Sequence, residues 1–285
     1  MEKIAVLIDS TSFLSEELKK ELDIRTVYLN IVINNHSYKE IIDMTADKYY
    51  EYLRDTNNSF PTTSQPAIGE VVACLEKLKE EGYTDVIAIA LSSGISGACS
   101  SYTVAGLMVD GINVHPFDSE VSCKPEGWYA IKAVNLIKEG KNSNQIISAL
   151  NEMKKVSKAY FMADDLSHLQ RGGRLSGAQA LVGSLLQVKP LLHFEDKIIV
   201  PFQKIRTYKK VVLRMYELFD EFYQEHKGEN IHVCVLHVDA IEKAHEIKEY
   251  LEDKYPDIAI EIDAISPVIS THLGLGAIGF GWTIL

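Results

Sequence analysis

Residues 4–12 read Ile-Ala-Val-Leu-Ile-Asp-Ser-Thr-Ser, five apolar positions that break into an acid and three hydroxyls. A continuous apolar run closed by small polar residues predicts a strand buried on both faces that feeds a turn. The pattern returns at Asp85 to Leu91, which runs into the small-residue turn Ser92 to Gly97. Helical spacing follows the first strand at Ser15 to Leu22 and recurs at Thr45 to Arg54, Ile68 to Glu81 and Gly97 to Met108. Ile24 to Ile33 and Ile112 to Phe117 read as further strands, and helices are expected at Pro125 to Lys138 and Ser143 to Val156. Strand alternating with helix predicts an α/β layer around a mostly parallel sheet. Ligands sit where loops leave the C-terminal strand ends of such sheets, so Asp9 to Ser12 and Ser92 to Gly97 are the first places to look.

The second half has a different rhythm. Lys158 to Ala163 is a strand, Leu191 to Phe202 a hairpin around Glu195-Asp196-Lys197, and Thr207 to Glu225 a long amphipathic helix. Ile231 to Val238, Ile241 to Lys254 and Ile258 to Ile265 follow as strand, helix and strand. The expected organisation is two α/β domains, residues 1–157 and 158–285.

Composition narrows the function. With 40 acidic against 29 basic residues and a net charge of -11, the chain lacks the basic stripe that nucleic acid requires. Cys74, Cys99, Cys123 and Cys234 are widely spread with no C-x-x-C pair, which argues for free thiols in a reducing cytoplasm and against a metal site or disulfide framework. No apolar run approaches the roughly 20 residues of a membrane span, and Met1 to Ser10 reads as a strand and not as a leader, so stable membrane insertion is not expected.

Near the C-terminus, Gly274-Leu275-Gly276-Ala277-Ile278-Gly279 spells G-x-G-x-x-G. That fingerprint needs a helix opening on its last glycine and an acid about 20 residues later for the ribose. Only Phe280 to Leu285 remain after Gly279, too little chain for either. The glycines read instead as a backbone-shaping loop that adopts positive φ or approaches its neighbours closely, next to His272.

Three hydroxyl clusters remain: Thr62-Thr63-Ser64, Ser92-Ser93 with Ser96, and Ser270-Thr271-His272. Turn chemistry and helix capping account for any one of them alone. Three together, with Arg171 and Arg174 flanking Gly172-Gly173, suggest donors gathered around an anion. A serine hydrolase using Ser96 and His272 is the enzymatic alternative, since the order Ser…Asp…His occurs in one hydrolase fold. That fold presents its nucleophile as G-x-S-x-G, whereas Gly94-Ile95-Ser96-Gly97-Ala98 places the second glycine one position early.

Taken together, Asp9-Ser10-Thr11, Thr63-Ser64-Gln65-Pro66, Leu91-Ser92-Ser93-Gly94-Ile95-Ser96-Gly97, Leu169-Gln170-Arg171-Gly172-Gly173-Arg174, Lys189-Pro190-Leu191-Leu192 and Ser270-Thr271-His272 span nearly the whole chain. In this order the sequence resembles the DegV family, bacterial fatty-acid-binding proteins that present bound acid to a separate fatty-acid kinase for acyl-phosphate formation. The resemblance implies a non-enzymatic, cytoplasmic carrier with a long-chain fatty acid between its two domains, and no cofactor or metal. It implies that Thr63 and Ser96 hold the ligand carboxylate, that His272 and Arg174 belong to the surrounding network, and that Arg206 meets the kinase. Ser64, Ser93, Gly97 and Thr271 are secondary candidates for the carboxylate site. Ala98 departs from a commonly found Thr, and Leu273 and Leu275 from the usual Thr and Pro.

The energetics suit such a carrier. Burying a sixteen-carbon tail at about 0.8 kcal/mol per methylene gives roughly 12 kcal/mol before the costs of binding. The carboxylate then needs donors, because a bare buried charge is prohibitive. No G-x-x-x-x-G-K-[ST] phosphate loop occurs in the sequence, in keeping with a kinase on another chain. Acyl length and unsaturation depend on packing and are not legible.

Overall fold

The computed structural model describes residues 2–175 and 189–285. Elements of the first half are β1 (Ile4–Asp9), α1 (Glu16–Glu21), β2 (Ile24–Val27), β3 (Asn30–Ile33), β4 (His36–Lys39), α2 (Ala46–Arg54) and β5 (Thr62–Ser64). They continue as α3 (Ile68–Glu80), β6 (Asp85–Ala90), α4 (Ala98–Met108), β7 (Asn113–Asp118), α5 (Lys124–Lys138) and α6 (Ser143–Val156). The second half has β8 (Lys158–Met162), α7 (Ser167–Arg171), β9 (Lys189–Glu195), β10 (Ile198–Ile205) and α8 (Tyr208–Glu225). It ends with β11 (Ile231–His237), α9 (Ile241–Lys254), β12 (Ile260–Ala264), α10 (Pro267–Leu273) and β13 (Ile278–Ile284).

The first half is a parallel sheet in the order β2-β1-β6-β7, as its alternating pattern predicts. All six residues of β1 and all six of β6 are buried, because helices cover both faces. The second half is a mixed six-stranded sheet, β10-β9-β8-β13-β11-β12, in which only β11 and β12 pair parallel. One apolar cluster runs from Leu7 and Ile89 of the first sheet to Phe161, Leu236 and Ala277 of the second half. A second cluster lies under α8 and α9, around Phe219, Phe280 and Trp282.

Three readings of the sequence need correction. Ile24 to Ile33 is not one strand: β2 joins the parallel sheet, while β3 leaves it for a small antiparallel sheet of order β4-β3-β5. The Thr62-Thr63-Ser64 cluster is not turn chemistry, because Thr62–Ser64 pairs with β3 and sets Thr63 opposite Ile31. The glycine-rich end is not a loop either. Pro267–Leu273 is a helix with Pro at its start, where the missing N–H costs nothing, and Ile278–Ile284 is a strand between β8 and β11. Gly274 and Gly276 do take φ of 73° and 81° in the turn between these elements, whereas Gly279 lies outside the left-handed region. No helix among the described residues is long and apolar enough to cross a membrane.

Candidate functional site

Asp9 to Ser12 and Ser92 to Gly97 leave neighbouring strand ends, but they do different work. Asp9 accepts from the Thr11 amide at 2.9 Å and from the Leu91 amide at 2.8 Å, so it ties the end of β1 to the end of β6. The turn it starts is buried and structural. Ser10 donates to Glu40, which also accepts from the Val268 amide at the start of α10. Glu40 is fully buried, and that burial pushes its carboxyl up to about 7. Asp9 and Glu126 are raised by the same cause.

The loop after β6 instead faces a cavity of about 340 Å³. Its walls come from both halves of the chain: Leu29 and Ile95 from one, Phe161, Phe194, Leu236 and Phe280 from the other. The volume falls at the lower end of the range for small-molecule sites, which are typically about 300–1,000 Å³. Most of the lining is apolar, and Thr63, Ser64, Gln65, Ser96, Arg174 and His272 supply its polar side chains along with Ser122.

Strand pairing explains the convergence. β5 is held against β3, which brings Thr63 to the last turn of α10, and Thr63 Oγ1 lies 2.8 Å from His272 Nε2. The other ring nitrogen, Nδ1, is buried and has no partner among the described residues. It faces Gly172, where an added Cβ would stand 2.1 Å away. An unpartnered N–H costs more than an unused lone pair in that setting, so the proton belongs on Nε2. His272 then donates to Thr63, and the Thr63 hydroxyl proton points elsewhere. Burial first, and the nearby Arg174 charge second, push the imidazole down to about 4, so it is neutral near pH 7. Arg174 is the cation of the group; its Nε donates to the Ile95 carbonyl at 3.1 Å, which joins the two halves beside the cavity.

Ser96 and Gly97 line the cavity, with Ser96 Oγ accepting weakly from the Ala98 amide at 3.3 Å. Gln65 packs directly on Gly97, leaving no room for a side chain there, and donates to Ser101 at 2.8 Å. Reasoning from residue types did not single out Gln65 as a site residue, although it belongs to the quoted Thr63-Ser64-Gln65-Pro66 stretch. Two of the secondary candidates are not brought to the cavity. Ser93 is exposed and donates to Asp118, and Thr271 is buried between Tyr49 and the Pro267 carbonyl. Arg206 is exposed where β10 leads into α8, outside the cavity lining. No hydrogen bond joins Ser96 to His272 among the described residues; the imidazole is committed to Thr63 instead. No cluster of metal-ligating side chains occurs among the described residues.

An α/β chain with an apolar chamber lined at one place by hydroxyls, an imidazole and a guanidinium has the form of a binding protein for an amphipathic acid. A family model described as "Uncharacterised protein, DegV family" matches residues 3–284, and the chain belongs to that family. Protein DegV of Bacillus subtilis is 50% identical over 280 residues, which cover 98% of this chain and 98% of the relative. The crystal structure of DegV from Bacillus subtilis, described as a fatty acid binding protein, superposes with a TM-score of 0.94 at 48% identity and full coverage of both chains. A fatty acid binding DegV family protein from Streptococcus agalactiae gives a TM-score of 0.92 at 30% identity, again over the whole of both chains.

Proposed function

We propose that this chain binds one long-chain fatty acid in the cavity between its two α/β domains and offers the carboxylate to a separate fatty-acid kinase in the cytoplasm. The observation that carries the reading is the cavity's division of labour: an apolar chamber with Thr63, Ser96, His272 and Arg174 gathered along its polar wall. The tail supplies affinity by leaving water, at about 0.8 kcal/mol per methylene. Arg174 balances the charge, because a buried carboxylate without a cation is costly. Neutral His272 contributes a hydrogen bond in place of a charge. By donating to Thr63 it orients that hydroxyl toward the carboxylate, and Ser96 supplies a second donor. The fatty-acid binding of the relatives from Bacillus subtilis and Streptococcus agalactiae supports the ligand class.

For the kinase step, the γ-phosphoryl of ATP would pass to a carboxylate oxygen with ADP leaving, and the exposed Arg206 is the proposed contact for the partner. Native mass spectrometry of freshly purified protein, followed by lipid extraction, tests the first part. One acid per chain is expected, and protein that stays empty in the presence of added acid would end the reading. Loaded protein, a bacterial fatty-acid kinase and MgATP, with hydroxylamine to trap acyl phosphate, test the second. Absence of hydroxamate from fully loaded protein would remove the kinase from the proposal while leaving the carrier intact.

A further inference from the structure

Glycines near the cavity mostly have an evident backbone or packing reason. Gly274 and Gly276 hold positive φ. A Cβ on Gly97 would collide with Gln65, one on Gly172 with His272, and one on Gly281 with Pro125 of α5 at 2.7 Å. Gly279 is different. It is the second residue of β13, paired with Leu236 on one side and Phe161 on the other. Its φ is outside the left-handed region, and the nearest atoms to a Cβ there would be Leu236 Cβ at 3.3 Å, Leu236 Cδ1 at 3.6 Å and Phe161 Cβ at 3.6 Å. Those are cross-strand neighbours of an ordinary sheet, and Leu236 would need to yield by only a few tenths of an ångström. Glycine in a strand interior weakens it, so the sheet itself gains nothing from Gly279.

What Gly279 does is line the cavity, within an apolar stretch of wall shared with Phe161, Leu236 and Phe194. We infer that Gly279 is a specificity-determining residue: its missing side chain is the space that admits the far carbons of a long acyl tail. This rests on the fatty-acid reading above. The wall at Gly279 is sheet held between β8 and β11, so each carbon placed at position 279 takes a comparable part of the space from the ligand at that stretch. Valine suits the strand and adds three carbons to the chamber.

The experiment compares dodecanoic with octadecanoic acid, each competed against a fluorescent fatty acid on wild-type protein, Gly279→Ala and Gly279→Val. A methylene that loses burial costs about fourfold in affinity, so three displaced methylenes should move the ratio of the two affinities toward the shorter acid by roughly 60-fold in Gly279→Val, and one by about fourfold in Gly279→Ala. Folding is checked by circular dichroism and thermal melting; if Gly279→Val does not fold, the single methyl of Gly279→Ala decides. A folded variant with the wild-type ratio overturns the inference. Wild-type protein that takes up neither acid sinks the fatty-acid reading, and the inference with it, which is a separate outcome.

Discussion

Thr63 and His272 stand 209 positions apart in the chain, yet their side chains meet at 2.8 Å on the wall of the cavity. The contact joins β5 of the small antiparallel sheet to the last turn of α10, so it reports on how the two halves close. Because the imidazole is the donor, the Thr63 hydroxyl has its own proton to give. Thr63→Ala should therefore weaken fatty-acid binding by roughly 10- to 150-fold, the worth of a hydrogen bond to a charged group. Thr63→Ser keeps the hydroxyl and should stay within a few-fold of wild type. Competition with a fluorescent fatty acid measures both, and equal losses in the two variants would remove the hydroxyl from the carboxylate site.

Gly172 offers a second way to reach the same contact without touching a polar group. Its backbone has φ -70° and ψ -12°, ordinary helical values that alanine tolerates, so the main obstacle is the His272 ring, with the His168 carbonyl a lesser one at 3.2 Å. Gly172→Ala should displace the ring and weaken binding about as much as His272→Ala does. The double variant should be little worse than His272→Ala, since neighbours that act through one contact do not add. Fully additive losses in the double-mutant cycle would show that Gly172 serves some other purpose.

The proposed partner contact separates cleanly from the ligand site. Arg206 is exposed and outside the cavity lining. Arg206→Ala should retain its fatty acid through purification while acyl-phosphate formation with the kinase slows by tenfold or more, the order expected of an interface arginine worth upward of 1.4 kcal/mol. Loss of the bound acid from a folded variant would place Arg206 on the wrong surface.

The parallel sheet was legible because β1 and β6 are short apolar runs with nothing else to be. The C-terminal elements were hidden for a physical reason. β13 carries Gly279 and Gly281 on the face toward the first half of the chain, and glycine erases the alternation by which a half-buried strand is recognised. Its strand character comes from β8 and β11 on either side, which are remote in sequence. β5 is only three residues long, between Pro61 and Pro66, and exists because β3 supplies its partner. At the site, residue chemistry marked the hydroxyl clusters but not which member of each faces the cavity. Ser96 lines it while Ser93 turns to Asp118, and His272 lines it while Thr271 turns to Tyr49. Those choices depend on tertiary packing, which no local pattern carries.

Glu40 links this site to pH through α10. Its carboxyl accepts from Ser10 and from the Val268 amide, and burial raises it from an ordinary 4.5 to about 7. Between those values the folded chain holds a proton that the unfolded chain releases. The stability from Glu40 is thus fully present below pH 4.5 and is lost as pH rises through about 7. His272 runs the other way: lowered from 6.5 to about 4, its contribution is present above 6.5 and lost as pH falls through about 4. Asp9 and Glu126 are also raised, so the shape of the wild-type curve alone identifies no single group. A difference measurement does. Glu40→Gln retains a carbonyl oxygen for one of the two donors, and the cost of fitting its amide is independent of pH. The melting temperature of Glu40→Gln relative to wild type should therefore climb between pH 4.5 and 7 by several degrees and then level off, for a coupling on the order of 3 kcal/mol. A difference that stays flat across that range would mean Glu40 does not titrate with folding, and α10 would owe its docking to Tyr49 on Thr271, with Tyr50 holding the Ile265 carbonyl just before it.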